Sequence, residues 1–119
     1  MPVAFSNGNG QYTVTNNAVD NMPTWSSTSR VKFTTCDVDG DGKDDVVMTG
    51  GDGWTTIPTG FSKGRTGFRV TNQAAAGFPA WANDPDAKLM CGDINGDGIG
   101  DELILAGGRA WTSIPVGWA

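Results

Sequence analysis

"DVDGDGKDDVVMTGG" (Asp37 to Gly51) returns as "DINGDGIGDELILAGG" (Asp93 to Gly108), an acidic, glycine-broken loop followed each time by a short apolar run. Side-chain oxygens fall at Asp37, Asp39, Asp41 and Asp45 in the first copy and at Asp93, Asn95, Asp97 and Asp101 in the second, so both read D-x-[DN]-x-D-G-x-x-D. Alternate residues of a tight loop can turn their oxygens onto one point. The glycine after the third permits the backbone reversal that brings the ninth position back to it. An all-oxygen shell suits a hard cation with roughly 6 to 8 ligands, which means calcium before magnesium. The chain has no His and neither loop has a Cys, which disfavours thiolate and imidazole metals. Two solvated Asp-Gly turns would use the same residue types; the recurrence of the matched nonamer favours calcium. An EF-hand would need a Glu at loop position twelve and a helix after it, but that position is Met48 or Ile104. The runs "DVVMTGG" and "DELILAGG" contain β-branched residues and end in glycine pairs. They predict buried strands.

Composition narrows the class further. The chain has 119 residues, enough for one domain, and its 18 Gly and 6 Pro leave no window of helical periodicity, so an all-β fold is expected. The net charge is -5, and setting aside the seven aspartates proposed as ligands leaves +2, so the acidity belongs to the loops. No basic stripe is available for a nucleic-acid backbone, which argues against nucleic-acid partners. No apolar run approaches the roughly 18 residues of a membrane span, and the N-terminus has neither a basic region nor a hydrophobic signal core. A soluble protein is expected, its compartment left open. Cys36 and Cys91 are read as buried free thiols: aligned repeats put Thr35 opposite Cys91 and Cys36 opposite Gly92, on opposite faces of equivalent strands. A disulfide would require Cα atoms within about 7 Å.

The repeat reaches far beyond the loop. "PVAFSNGNGQYTVTNNAVDNMPTW" from Pro2 lines up without a gap on "PTGFSKGRTGFRVTNQAAAGFPAW" from Pro58, with Phe5 on Phe61, Tyr12 on Phe68 and Trp25 on Trp81. "GWTTIP" at Gly53 matches "AWTSIP" at Ala110 with one extra residue, assigned to the intervening turn, and "PVGWA" at Pro115 begins a third copy. The domain is therefore read as repeat one at about 2–57, repeat two at about 58–114 and the start of a third at 115–119. Such self-similarity marks a stacked or radial architecture whose single unit cannot bury its own apolar face. Within a unit the strands are expected at 31–36, 45–50, 54–62 and 68–72, an antiparallel meander followed by a long crossover. Four short strands with a crossover to the next sheet describe a propeller blade.

The phase of the repeat carries an expectation about assembly. The chain opens in strands three and four of one blade, holds one complete blade, and closes in strands one to three of another. Two blades cannot close a ring, and an unpaired edge would be a template for aggregation. A cyclic homo-oligomer is expected, in which each N-terminus completes its neighbour's last blade.

"PVAFSNGNGQYTVTN" (Pro2 to Asn16), "FPAWA" (Phe78 to Ala82), "GDINGDGIGDELIL" (Gly92 to Leu105) and "GWTTIP" (Gly53 to Pro58) together resemble the blades of bacterial seven-bladed propeller lectins of the Photorhabdus lectin type, relatives of the mushroom Psathyrella velutina lectin. The acidic loop also resembles the FG-GAP calcium loops of integrin-type propellers. The likeness covers nearly the whole chain, which departs from the family in carrying about two blades rather than seven. It implies an excised or engineered fragment, assembling as three or four chains into a ring of about six or eight blades. It also implies carbohydrate binding between neighbouring blades, with fucose or N-acetylglucosamine-type glycans as partners, met outside the cell.

Trp25 and Trp81 fall in the crossovers and Trp54 and Trp111 open third strands, and all four are taken as sugar-binding candidates, the crossover pair first. An indole face stacks on the C–H face of a pyranose at low ordering cost. A Trp recurring at the repeat period equally serves packing between blades. Catalysis is not expected: without His, and with the carboxylates committed to the loops, neither a nucleophilic triad nor a free acid/base pair assembles. Beside the lectin reading stands a calcium-stabilised structural or protein-interaction propeller module of FG-GAP type.

Overall fold

The computed structural model describes residues 1–119 and is built from three antiparallel sheets with little helix. Strands β1 (Pro2–Ser6) and β2 (Tyr12–Asn16) form the first sheet. Strands β3 (Lys32–Cys36), β4 (Asp45–Thr49), β5 (Thr56–Ser62) and β6 (Phe68–Ala74) form the second, in that spatial order. Strands β7 (Lys88–Gly92), β8 (Glu102–Ala106) and β9 (Val116–Gly117) form the third. The all-β expectation holds, and the second sheet is the four-stranded meander read from the repeat. Its third strand begins at Thr56 rather than at position 54, and its fourth runs on to Ala74.

Register repeats with the sequence. Pro2 pairs with Asn16 and Phe5 with Thr13 in the first sheet, as Pro58 pairs with Asn72 and Phe61 with Arg69 in the second. Val46 faces Gly60 and Val47 faces Thr59, as Leu103 faces Gly117 and Ile104 faces Val116 in the third. This second correspondence relocates the extra residue of the repeat. Cys36 pairs with Asp45 while its counterpart Gly92 pairs with Glu102, so the insertion lies inside the second acidic loop and not in the later turn.

Each crossover contains one short helix, α1 (Met22–Ser26) and α2 (Phe78–Ala82), too brief for its periodicity to register in a sequence window. Both begin with Pro in the first turn, where its missing N–H removes no helical bond. Both are entered through a left-handed residue, Asn21 in α1 and Gly77 in α2.

The second and third sheets pack through one core of Cys36, Val47, Phe78, Ala82, Leu103 and Leu105. Alternation along β8 turns Leu103 and Leu105 to this side, and Phe78 of α2 closes it. Burying a side chain such as Phe78 or Leu105 contributes roughly 1.5–3 kcal/mol. Gly50 ends β4 with φ +82°, its α-carbon so close to the Ala82 carbonyl that a Cβ would meet the oxygen at 2.6 Å. Only glycine fits there. The first strands β3 and β7 also run side by side, although they belong to different sheets.

The expectation of free thiols at Cys36 and Cys91 is corrected. Their Cα atoms are 6.0 Å apart and the two are joined as a disulfide. Opposite faces of equivalent strands look away from each other within one sheet, but across the gap between successive sheets they look toward each other.

Candidate functional site

The two acidic loops connect β3 to β4 and β7 to β8. In the first, Asp37, Asp39 and Asp45 bring carboxylate oxygens within 4.8 Å of one another. Asp37 accepts the backbone N–H groups of Asp41 (2.9 Å) and Gly42 (2.8 Å), which folds the loop over its own first residue. Asp45 is fully buried and ties the loop to two strands, accepting from Val38 N–H at 3.1 Å and Ser62 N–H at 2.8 Å. Burial pushes its carboxyl up, the two N–H groups oppose this, and the neighbouring Asp39 and Asp41 raise it further. Asp41 stands outside the group: its carboxylate takes the Lys43 ammonium at 2.6 Å, which holds Asp41 below and Lys43 above their ordinary values.

The second loop gathers Asp97, Asp101 and Glu102 within the same span, with the Asp93 carboxylate outside the group. Asp93 folds the loop as Asp37 does, accepting from Gly96 (2.7 Å) and Gly98 (2.8 Å). Glu102 takes the position of Asp45: fully buried, it accepts from Ile94 N–H at 3.1 Å, the counterpart of the Val38 bond, and from the Asn95 amide at 2.7 Å. Burial pushes the Glu102 carboxyl up, and the charges of Asp101 and Asp97 push the same way. Asp101 is 8% exposed, and its Oδ1 has no hydrogen-bond partner. A buried acceptor without a donor is costly.

Glu102 was not among the residues expected from sequence. Aligning the acidic doublet Asp44–Asp45 on Asp101–Glu102, instead of extending the gapless nonamer, would have found it. The ungapped match paired Asp101 with Asp45; strand register pairs it with Asp44.

The tryptophans divide unexpectedly. Trp81, half exposed on α2, and Trp111, in the turn before β9, line two adjoining clefts of about 380 and 320 Å³ between the crossover and the third sheet. Arg109 also lines the first cleft, and Thr112 and Ser113 the second. Asp84 fixes the geometry, accepting from Asp86 N–H at 2.9 Å and Arg109 N–H at 2.9 Å, and these two bonds hold its carboxyl below the ordinary range. Trp25 and Trp54 share no such cleft. Trp54 lies against Gly51 so closely that no Cβ could be accommodated there, and Trp111 sits on Gly108 in the same way. Trp54 also lines a groove of about 570 Å³ with Thr55, Ala74 to Gly77, Pro79 and Ala80.

Comparison with family models, with curated proteins and with solved structures finds no match to this chain.

Proposed function

We propose that this chain is a carbohydrate-binding module whose sheets are propeller blades, closed into a multivalent ring by association of three or four copies. The observation that carries the sugar reading is the cleft between Trp81 and Trp111. It offers two indoles, one from the crossover and one from the turn before β9, an exposed guanidinium and the exposed hydroxyls of Thr112 and Ser113. That combination suits a pyranose: aromatic area for the C–H face, and groups that donate and accept around the ring hydroxyls. Fucose and N-acetylglucosamine-type glycans are the substrate classes favoured by the lectin resemblance. Repetition of the cleft around a ring would convert weak single sites into avidity.

Calcium in both loops belongs to the same reading. The donor set is all oxygen, each loop clusters three carboxylates, and the orphaned Asp101 Oδ1 fits a cation where no protein donor reaches. Asp37, Asp39 and Asp45 would hold the first ion, and Asp97, Asp101 and Glu102 the second. Asp41, Asp93 and Asn95 lie on the same loops within the acidic motif. The role is structural, pinning the turn between the first two strands of each blade.

Glycan-array binding of wild type, with Trp81→Ala and Trp111→Ala as separate variants, tests the sugar reading. Either substitution should reduce binding about tenfold or more, the loss of one stacking surface. An array without signal for wild type, in calcium and at a concentration where the chain is associated, would sink it. A structural or protein-interaction module of the FG-GAP kind then stands in its place.

A further inference from the structure

The register assigns one strand position to two segments of this chain. In the second sheet, "PTGFS" (Pro58 to Ser62) lies between β4 and β6. Two other segments align with it: "PVAFS" (Pro2 to Ser6), which is β1, and "PVGWA" (Pro115 to Ala119), which contains β9. β1 is paired only on its fourth-strand side, to β2, through five residue pairs. β9 is paired only on its second-strand side, to β8, through two. A complete sheet made from the third sheet of one copy and the first sheet of another therefore has one third strand too many.

The apolar surfaces show which pieces meet. Where the second sheet packs on the third, Val47 of β4 is buried in one cluster with Phe78, Leu103 and Leu105. The counterparts one repeat earlier, Met22, Val46 and Met48, line a pocket of about 290 Å³ that Met1 and Pro2 at the edge of β1 also line. Phe33, at its rim, is 51% exposed. Nothing fills the place that a second strand beside β1 would occupy. The counterpart of Val47 is Ile104 of β8, on the face of the third sheet turned away from the core, next to Met90, which is 44% exposed.

Resting on the assembly reading above, we infer that a second copy of this chain docks its β7–β8 pair against β1, placing its Ile104 in the Met22–Val46–Met48 pocket, and that β1 displaces β9 in doing so. β1 then makes the bonds that β9 makes in the single chain. Val3 takes the place of Val116 opposite Ile104, Ala4 that of Gly117 opposite Leu103, and the Pro2 carbonyl that of Pro115, which accepts the Leu105 N–H at 3.0 Å. The longer-paired strand wins because β1 arrives already hydrogen-bonded to β2, whereas β9 brings no neighbour. β9 is thus an internal competitor that caps β8 in the free chain and covers an edge otherwise open to pairing. Each chain then contributes two whole blades. The junction between copies is noncovalent, since Gly92 and Thr35 stand where the disulfide stands inside the chain.

Two variants test this by sedimentation and by non-reducing electrophoresis. Deleting residues 115–119 removes the competitor and should lower the concentration at which the chain associates by about tenfold, equivalent to one or two ladder hydrogen bonds. If the shortened chain stays monomeric where the full chain associates, β9 is needed for assembly and the displacement is refuted. If neither associates at any concentration, the assembly reading falls with it. In the full-length chain, Val3→Cys combined with Ile104→Cys should give bridges between copies, because the position is a non-hydrogen-bonded pair where side chains approach closely. Bridging within single chains by Val116→Cys with Ile104→Cys in the assembled material, and none by the first pair, would overturn it.

Discussion

Cys36 at the end of β3 and Cys91 on β7 are joined across the gap between two sheets, at positions one residue out of step in the repeat. The bridge closes a loop over a sequence separation of 55 and fastens the complete sheet to its successor. In the chain-entropy view a loop of that length is worth about 4 kcal/mol. The double variant Cys36→Ser with Cys91→Ser should lose most of that in urea denaturation, and wild type in reductant should behave alike. A loss below about 1 kcal/mol in both would mean that the core alone holds the two sheets together.

Calcium should raise the thermal midpoint, by an amount equivalent to about 2.7 kcal/mol when the free ion is a hundredfold above its dissociation constant. Glu102→Gln should remove the second loop's share of that gain, because this side chain occupies the position that Asp45 holds in the first loop. The sequence motif alone points to Asp101 and gives Glu102 no role. Calorimetric titration of the two variants, Glu102→Gln and Asp101→Asn, separates these outcomes. An unchanged stoichiometry and affinity in Glu102→Gln would remove Glu102 from the site.

Ala110 adopts φ +59° at the position where the preceding repeat has Gly53 at φ +76°. A left-handed conformation costs a residue with a Cβ roughly 1–2 kcal/mol. Ala110→Gly should therefore stabilise, the gain reduced by the extra freedom glycine brings to the unfolded chain. Gly53→Ala should destabilise. Thermal melts of the pair are expected to move in opposite directions, and equal shifts would contradict the argument.

The acid limb of stability should depend on Asp84. Its carboxyl is held below the ordinary value of 3.8 by the N–H groups of Asp86 and Arg109. A group whose folded value is depressed stabilises above its unfolded value, and that contribution disappears as pH falls through the folded one. Asp84→Asn should flatten the stability profile below about pH 4 relative to wild type. The same substitution loosens the Arg109 turn beside Trp111, so sugar binding at neutral pH offers a second readout.

Much of the architecture was legible because it is written in local patterns. The apolar runs after each acidic loop, the glycine turns and the repeat itself located β3, β4, β5 and β6 to within a residue or two at their ends. The helices α1 and α2 left no periodic trace, being single turns started by Pro and held by their buried Met22 and Phe78. Three of the expected first-loop ligands do converge, at Asp37, Asp39 and Asp45, because loop spacing is a local property.

By itself the sequence determined the strand alternation, the meander and its repetition, since each depends on neighbours along the chain or on an offset shared by two copies. Tertiary structure alone decided three things. It turned Cys36 and Cys91, on opposite faces of like strands, into facing partners by stacking one sheet on the next. It moved the inserted residue into the second acidic loop, so that Glu102 rather than Asp101 stands where Asp45 does. It paired Trp81 with Trp111 instead of with its sequence counterpart Trp25. The physical reason is common to all three: a repeat aligns residues that do the same job in successive copies of the unit, whereas contact joins residues that do different jobs on the facing sides of adjacent sheets and loops.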